Sequence, residues 1–206
     1  MSIFITFEGI EGAGKTTQIE RLKSYLETLS HTVVTTKEPG GTPMGRQIRS
    51  FLLAPSTHLN HMMTETLLFI ADRVEHISSV IQPALLNGKI VICDRYIDST
   101  MAYQVGGKQV PENEVLVLMK LIQLMPQLTI LLDIMPDEGI RRAKQRAGLD
   151  RFEQEQMDFH YRVRDQYLLQ AQRYPNRIVV IDVMDKTVDD VFENIINVLP
   201  KILKEN

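Results

Sequence analysis

The sequence predicts an α/β protein: one open, five-stranded parallel sheet flanked by helices on both faces. Three observations carry this. Five short β-rich runs recur along the 206 residues, several of them apolar almost throughout; amphipathic helical stripes separate them; and a glycine-rich loop follows the first run. Apolar runs without alternation read as strands covered on both faces, and strands alternating with helices imply right-handed β-α-β crossovers.

The first run is "IFITF" (3 to 7), and G-x-x-x-x-G-K-T follows it at Gly9–Thr16. From Lys15 to Leu29, the residues Ile19, Leu22, Leu26 and Leu29 recur at helical spacing. "TVVTTK" (32 to 37) is the second strand and runs into "KEPGG". Residues 64 to 86, "TETLLFIADRVEHISSVIQPALL", read as one long helix that Gly88 stops. "KIVICD" (89 to 94) is the third strand and leads into "DRY"; "LTILLD" (128 to 133) is the fourth and leads into "DIMPDEG". "RIVVID" (177 to 182) is the fifth, and Val188 to Leu203 forms a closing helix with Val191, Ile195, Val198 and Ile202 at helical spacing. Ligands of such sheets bind beyond the carboxyl ends of the strands. The glycine loop, "KEPGG", "DRY" and "DIMPDEG" all fall there. No repeat, low-complexity tract or linker divides the chain, so residues 1–206 are expected to form a single domain.

Composition narrows the partners. With 44% hydrophobic and 24% charged residues the chain is ordinary for a globular protein, and a net charge of −3 offers no global field for nucleic acid or a membrane surface. The single cysteine, Cys93, lies in an apolar run and reads as a small buried hydrophobe, which suits a reducing cytoplasm. No basic leader opens the chain, and no window approaches 18 uninterrupted apolar residues, so no signal peptide or membrane span is expected.

The glycine loop has the chemistry of a phosphate cradle. Gly9, Gly12 and Gly14 let the backbone curl so that N–H groups face inward, and the helix N-terminus adds partial positive charge. Lys15 reaches the outer phosphates and the Thr16 hydroxyl can ligate Mg²⁺. Asp94, at the end of a central strand, stands where a carboxylate holds Mg²⁺ directly or through water; capping the next helix is its other reading.

Beyond the loop, the chain resembles the bacterial thymidylate kinases. "EGIEGAGKTT", "KEPGGTPMGRQIR", "LLFIADR", "DRYIDSTMAYQ" and "GLDRFEQE" occur in the order and spacing of that family, over nearly the whole chain. The resemblance implies a P-loop NTPase fold of the nucleoside monophosphate kinase type with a short lid. It also implies Mg²⁺-dependent transfer of the γ-phosphoryl group of ATP to dTMP, giving dTDP and ADP, in a homodimer. Exposed apolar positions on the helix from 64 to 86 are the candidate dimer surface.

Residue by residue, the family pattern assigns ATP to the loop made of Gly9, Ile10, Glu11, Gly12, Ala13, Gly14, Lys15, Thr16 and Thr17. Phe69 resembles the aromatic that stacks on thymine, and Arg73, one turn on, the donor to its carbonyl edge; core packing and a solvated helix position are their bland readings. Arg95 resembles the arginine that grips the dTMP phosphate. Ser99 helps fix the base, Tyr103 crowds a ribose 2′-hydroxyl, and Gln104 belongs to the same wall. Glu38 and Pro39 form a turn over the acceptor, and Arg49 is a further basic candidate for its phosphate. Two departures stand out. Lys37 replaces an arginine common in the family and is left out of the site, and Val105-Gly106-Gly107 follows "AYQ" where a glycine commonly comes directly, predicting a slightly altered loop.

The lid, residues 141–151, holds Arg141, Arg142, Lys144, Arg146 and Arg151, five cations in eleven residues. A charge run is commonly a solvated face. Here the glycine loop has no arginine of its own, and phosphoryl transfer needs charge neutralised around the moving group. Arg146 and Arg151, with Arg142 next, are therefore the expected catalytic cations alongside Lys15 and Arg95. Glu11, a carboxylate inside a phosphate loop, would repel ATP if it pointed inward; the family resemblance implies that it turns toward the acceptor's sugar 3′-hydroxyl, and facing solvent is its other reading. Two rival readings remain: a kinase for another nucleoside monophosphate, and a regulatory P-loop NTPase.

Overall fold

The computed structural model describes residues 2–145, 150–199 and 203. Among these, five parallel strands form one sheet in the order β2-β3-β1-β4-β5. They are β1 (Ile3–Glu8), β2 (Val33–Lys37), β3 (Ile90–Asp94), β4 (Leu128–Asp133) and β5 (Ile178–Asp182), each within a residue of its expected bounds. All six residues of β1 are buried, as a central strand covered on both faces requires. Ile3, Ile5 and Phe7 join a core with α1 (Lys15–Thr28), α8 (Met157–Arg173) and α9 (Val188–Val198), while Phe4 joins a second core with α3 (Met62–His76), α4 (Gln82–Leu86) and α6 (Glu112–Met119). β2, at the sheet edge, is only half-buried, which explains its threonines.

The remaining helices are α2 (Pro43–Leu53), α5 (Ile97–Thr100) and α7 (Pro136–Lys144). Two segments depart from the sequence reading. The helix expected over 64 to 86 begins at Met62 and passes through a π-helical turn at Ile77–Ile81 before α4. The altered loop expected after "AYQ" is no loop: Met101–Gly107 is π-helical, with the Lys108 amide donating to Tyr103 O, five residues back, at 2.8 Å. A wider turn absorbs the extra residue without breaking the helix. Gly106 and Gly107 face α8 in this segment, and a Cβ at Gly106 would lie 2.6 Å from Gln166 Cβ. The closing helix ends at Val198; residues 200–202 of its expected span lie outside the described residues.

β1 and β3 are neighbours, so their carboxyl ends place the glycine loop beside the "DRY" segment. The strand order reverses about this pair, which opens a crevice above them.

Candidate functional site

A cavity of about 730 Å³ opens at the carboxyl ends of β1, β2 and β3. From the glycine loop and α1 come Glu11, Gly12, Gly14, Lys15, Thr16 and Thr17. The turn after β2 and α2 supply Glu38, Pro39 and Arg49; α3 supplies Phe69 and Arg73. The segment after β3 supplies Asp94, Arg95, Ser99, Tyr103 and Gln104, and α7 supplies Arg142. Residues scattered from 11 to 142 thus line one space. Ile10 and Ala13 are not on its wall: their side chains are buried in the core, leaving only their backbone for the loop's task. Gly9 likewise contributes its carbonyl.

Gly12 and Gly14 take φ of 74° and 92°, left-handed values that glycine adopts freely. Gly12 also packs against the backbone of Gly139 in α7, leaving no room for a Cβ. Lys15 Nζ donates to Gly9 O at 2.9 Å and Ile10 O at 3.0 Å. Burial and the Arg95 charge bring its pKa down to about 8.

Glu11 turns away from this cradle. Its Oε1 accepts from Arg95 Nη2 at 2.9 Å and from the Tyr103 hydroxyl at 2.5 Å, while Oε2 is buried with no hydrogen-bond partner. Burial would push its pKa up, but the Arg95 and Lys15 charges and the Tyr103 hydrogen bond outweigh it, so the carboxyl stays below its ordinary value. Thr16 is exposed at the loop, and Asp94 Oδ1 is buried without a partner. Hydroxyl and carboxylate oxygens are the hard donors that Mg²⁺ takes, so these two side chains fit that ion.

The rest of the cavity's surroundings is held by hydrogen bonds between distant segments. Arg73 donates through Nε to Glu38 Oε2 at 2.6 Å, through Nη1 to Thr100 Oγ1 at 2.9 Å and through Nη2 to Tyr96 O at 2.8 Å. Glu38 Oε1 accepts from His76 Nδ1 at 2.9 Å, and His76 Nε2 lies 2.6 Å from Thr36 Oγ1. Glu38, His76 and Cys93 bring ligand-type atoms within 4.8 Å of one another, yet Arg73 and Thr36 engage the first two, so the cluster is a hydrogen-bonded brace. Phe69 is half-buried with its ring 6.1 Å from Phe152. Arg49 donates to Pro39 O at 3.0 Å, closing the turn after β2. Gln104 donates to Glu65 at 3.2 Å.

The lid is revised. Arg146 lies outside the described residues. Arg151 is directed away from the cavity: its Nε donates to Leu52 O at 2.9 Å and its Nη2 pairs with the buried Glu65. Arg142 lines the cavity, with Nε on Glu138 Oε1 at 2.6 Å, and so precedes Arg151 among the described cations. Sequence reasoning also missed Leu53, Thr100, Asp150, Phe152 and Glu153, all on the cavity wall. Asp150, Phe152 and Glu153 fall inside the quoted motif "GLDRFEQE", a signal that pointed to them. Ser99 does line the cavity, though its hydroxyl donates to buried Glu8 at 2.6 Å.

Comparison with known proteins gives the family and the fold. A family profile described as thymidylate kinase matches residues 7–195. The thymidylate kinase of Syntrophotalea carbinolica is 46% identical over 203 residues, covering 95% of this chain and 94% of the relative. That of Desulfosudis oleivorans is 47% identical over 191 residues, covering 88% and 89%. The crystal structure of thymidylate kinase from Ehrlichia chaffeensis superposes with a TM-score of 0.78 at 37% identity, covering 96% of this chain and 97% of that one.

Proposed function

This chain belongs to the thymidylate kinase family, and from that premise we propose how its residues carry the γ-phosphoryl group of ATP to dTMP, yielding ADP and dTDP. The observation that supports the proposal is the shared cavity: the glycine loop lines one space with Phe69, Arg73 and Arg95. The cradle from Gly9 to Thr17 holds the ATP phosphates, with Lys15 on the outer ones. Thr16 and Asp94 would hold Mg²⁺, which supplies charge neutralisation on the phosphates when bound.

On the acceptor side Phe69 stacks on thymine and Arg73 donates to its carbonyl edge. Arg95 grips the dTMP phosphate and aims an oxygen at the γ-phosphorus for in-line attack. Glu11 accepts from the sugar 3′-hydroxyl, and Tyr103 leaves no room for a ribose 2′-hydroxyl. Arg142 neutralises charge on the moving group as the lid closes. No general base is needed, because a phosphate monoester is already largely ionised near pH 7.

The protein works as a homodimer in the cytoplasm, where both of its ionised nucleotide substrates are confined; no described helix is long and apolar enough to cross a membrane. Initial rates of ADP formation with dTMP, dUMP, UMP, AMP and GMP test the assignment. dTMP is expected to lead; a preference for a ribonucleotide would overturn the role of Tyr103. Glu11→Gln is expected to lower the rate with dTMP while sparing its 3′-deoxy analogue. Equal effects on both would remove the sugar contact.

A further inference from the structure

Arg95 leaves β3 with φ of 69°, a left-handed conformation that is unusual for an arginine and that its surroundings must hold in place. Its amide donates to Phe7 O at 2.9 Å, and the residues after it are clamped by one carboxylate. Glu8 Oε1 accepts from the Tyr96 amide at 2.7 Å and more weakly from the Ser99 amide at 3.3 Å; Oε2 accepts from Ser99 Oγ at 2.6 Å and from the Tyr167 hydroxyl at 2.8 Å. Tyr167 Oη also lies 2.8 Å from Ser99 Oγ, and with its single proton given to Glu8 or to Ser99 it keeps a lone pair to accept. Arg95 Nη1 donates to it at 3.1 Å and to Gly9 O at 3.1 Å.

We propose that Tyr167, held by Glu8, is the positioning residue that sets the Arg95 guanidinium for a two-pronged grip on the acceptor phosphate. A guanidinium has five N–H groups. Nη1 is committed inward to Tyr167 and Gly9, with Ser99 Oγ a longer contact at 3.4 Å, and one Nη2 hydrogen to Glu11; among the described residues the Nε–H and the second Nη2 hydrogen have no protein acceptor. Two N–H groups on a fixed plane suit two oxygens of a phosphate. Without the Tyr167 oxygen, Nη1 loses one of its inward acceptors and the plane can swing.

Tyr167 itself lies behind the wall, 2% exposed, with its ring edge-on to Tyr103 at 6.3 Å, so it acts through Arg95 and not by touching substrate. It comes from α8, more than seventy residues beyond Arg95, and no cavity-lining pattern marks it.

The proposal rests on Arg95 as the phosphate-gripping residue, and the experiment separates the two. Calorimetric titrations of dTMP and of thymidine, which lacks the phosphate, are made with wild type, Tyr167→Phe and Arg95→Ala. Tyr167→Phe keeps the ring and removes one oxygen; it is expected to weaken dTMP about tenfold while thymidine binds unchanged, and to leave the KM for ATP where it was. Arg95→Ala is expected to weaken dTMP further, again sparing thymidine. If Arg95→Ala is selective for dTMP and Tyr167→Phe stays within twofold of wild type, the positioning role is wrong. A parallel loss of dTMP and thymidine affinity in Tyr167→Phe would mean a disturbed pocket and overturn it equally. If Arg95→Ala leaves dTMP affinity intact, the grip by Arg95 falls and this proposal falls with it.

Discussion

Lys15 is buried against the carbonyls of its own loop, and with Arg95 nearby its proton is held only up to about pH 8. Bound phosphates favour the charged form, so the free enzyme loses competence at lower pH than the ATP complex does. The expected outcome is that kcat/KM for ATP falls as pH rises through about 8, while kcat at saturating ATP stays level further up; paired pH profiles check it. Asp72 gives a stability test with its own sign. Burial and the neighbouring Glu38 raise its pKa from 3.8 to about 6, so the folded state binds more protons than the unfolded chain between these values. Stability from this residue is present below about pH 4 and lost as pH rises through about 6. Asp72→Asn keeps an acceptor for the Gly40 amide and is expected to flatten the melting temperature across that window. The lid arginines divide. Arg142→Ala is expected to lower kcat by roughly a hundredfold or more with little change in the KM for dTMP. Arg151→Ala instead leaves the fully buried Glu65 carboxylate without its cation, with only the Gln104 amide, and is expected to cost about 3 kcal/mol of stability, read by denaturant unfolding. Basicity was legible in the sequence; direction was not, because a partner 86 residues away decides it.

At the scale of elements, the strands were the most legible feature, since a parallel strand covered on both faces must be apolar along its length. The π-helical stretches were not. Their i to i+5 turns leave no hydrophobic period distinct from that of an α-helix, and Met101–Gly107 is set by packing against α8. One contact between elements bears on the proposed donor site: Gly139, in the first turn of α7, lets that helix rest on the glycine loop. A Cβ there would meet Glu11 O at 2.5 Å, backbone that cannot yield without moving the loop. Gly139→Ala is expected to raise the KM for ATP about tenfold and the KM for dTMP far less, measured by varying each substrate at saturation of the other. The same contact couples α7, which carries Arg142, to the glycine loop.

For the whole molecule, two cores share a single sheet, which supports one folding unit; coincident unfolding transitions by fluorescence and circular dichroism are the expected result. Leu67 and Val74 stand seven residues apart on α3, 48% and 43% exposed, and so form one apolar face that the proposed dimer would cover. Sedimentation is expected to give twice 23.6 kDa, and Leu67→Glu with Val74→Glu to give the monomer. By itself the sequence determined the sheet, the glycine loop and the kinase family, because strand burial, glycine spacing and short motifs are written in neighbouring residues. Only the tertiary structure decided which atoms complete the site. Glu8 and Tyr167 meet across 159 residues, and Glu11 and Arg95 across 84. Such hydrogen bonds depend on where the chain returns in space, and residues along the chain carry no local mark of the partner they will meet.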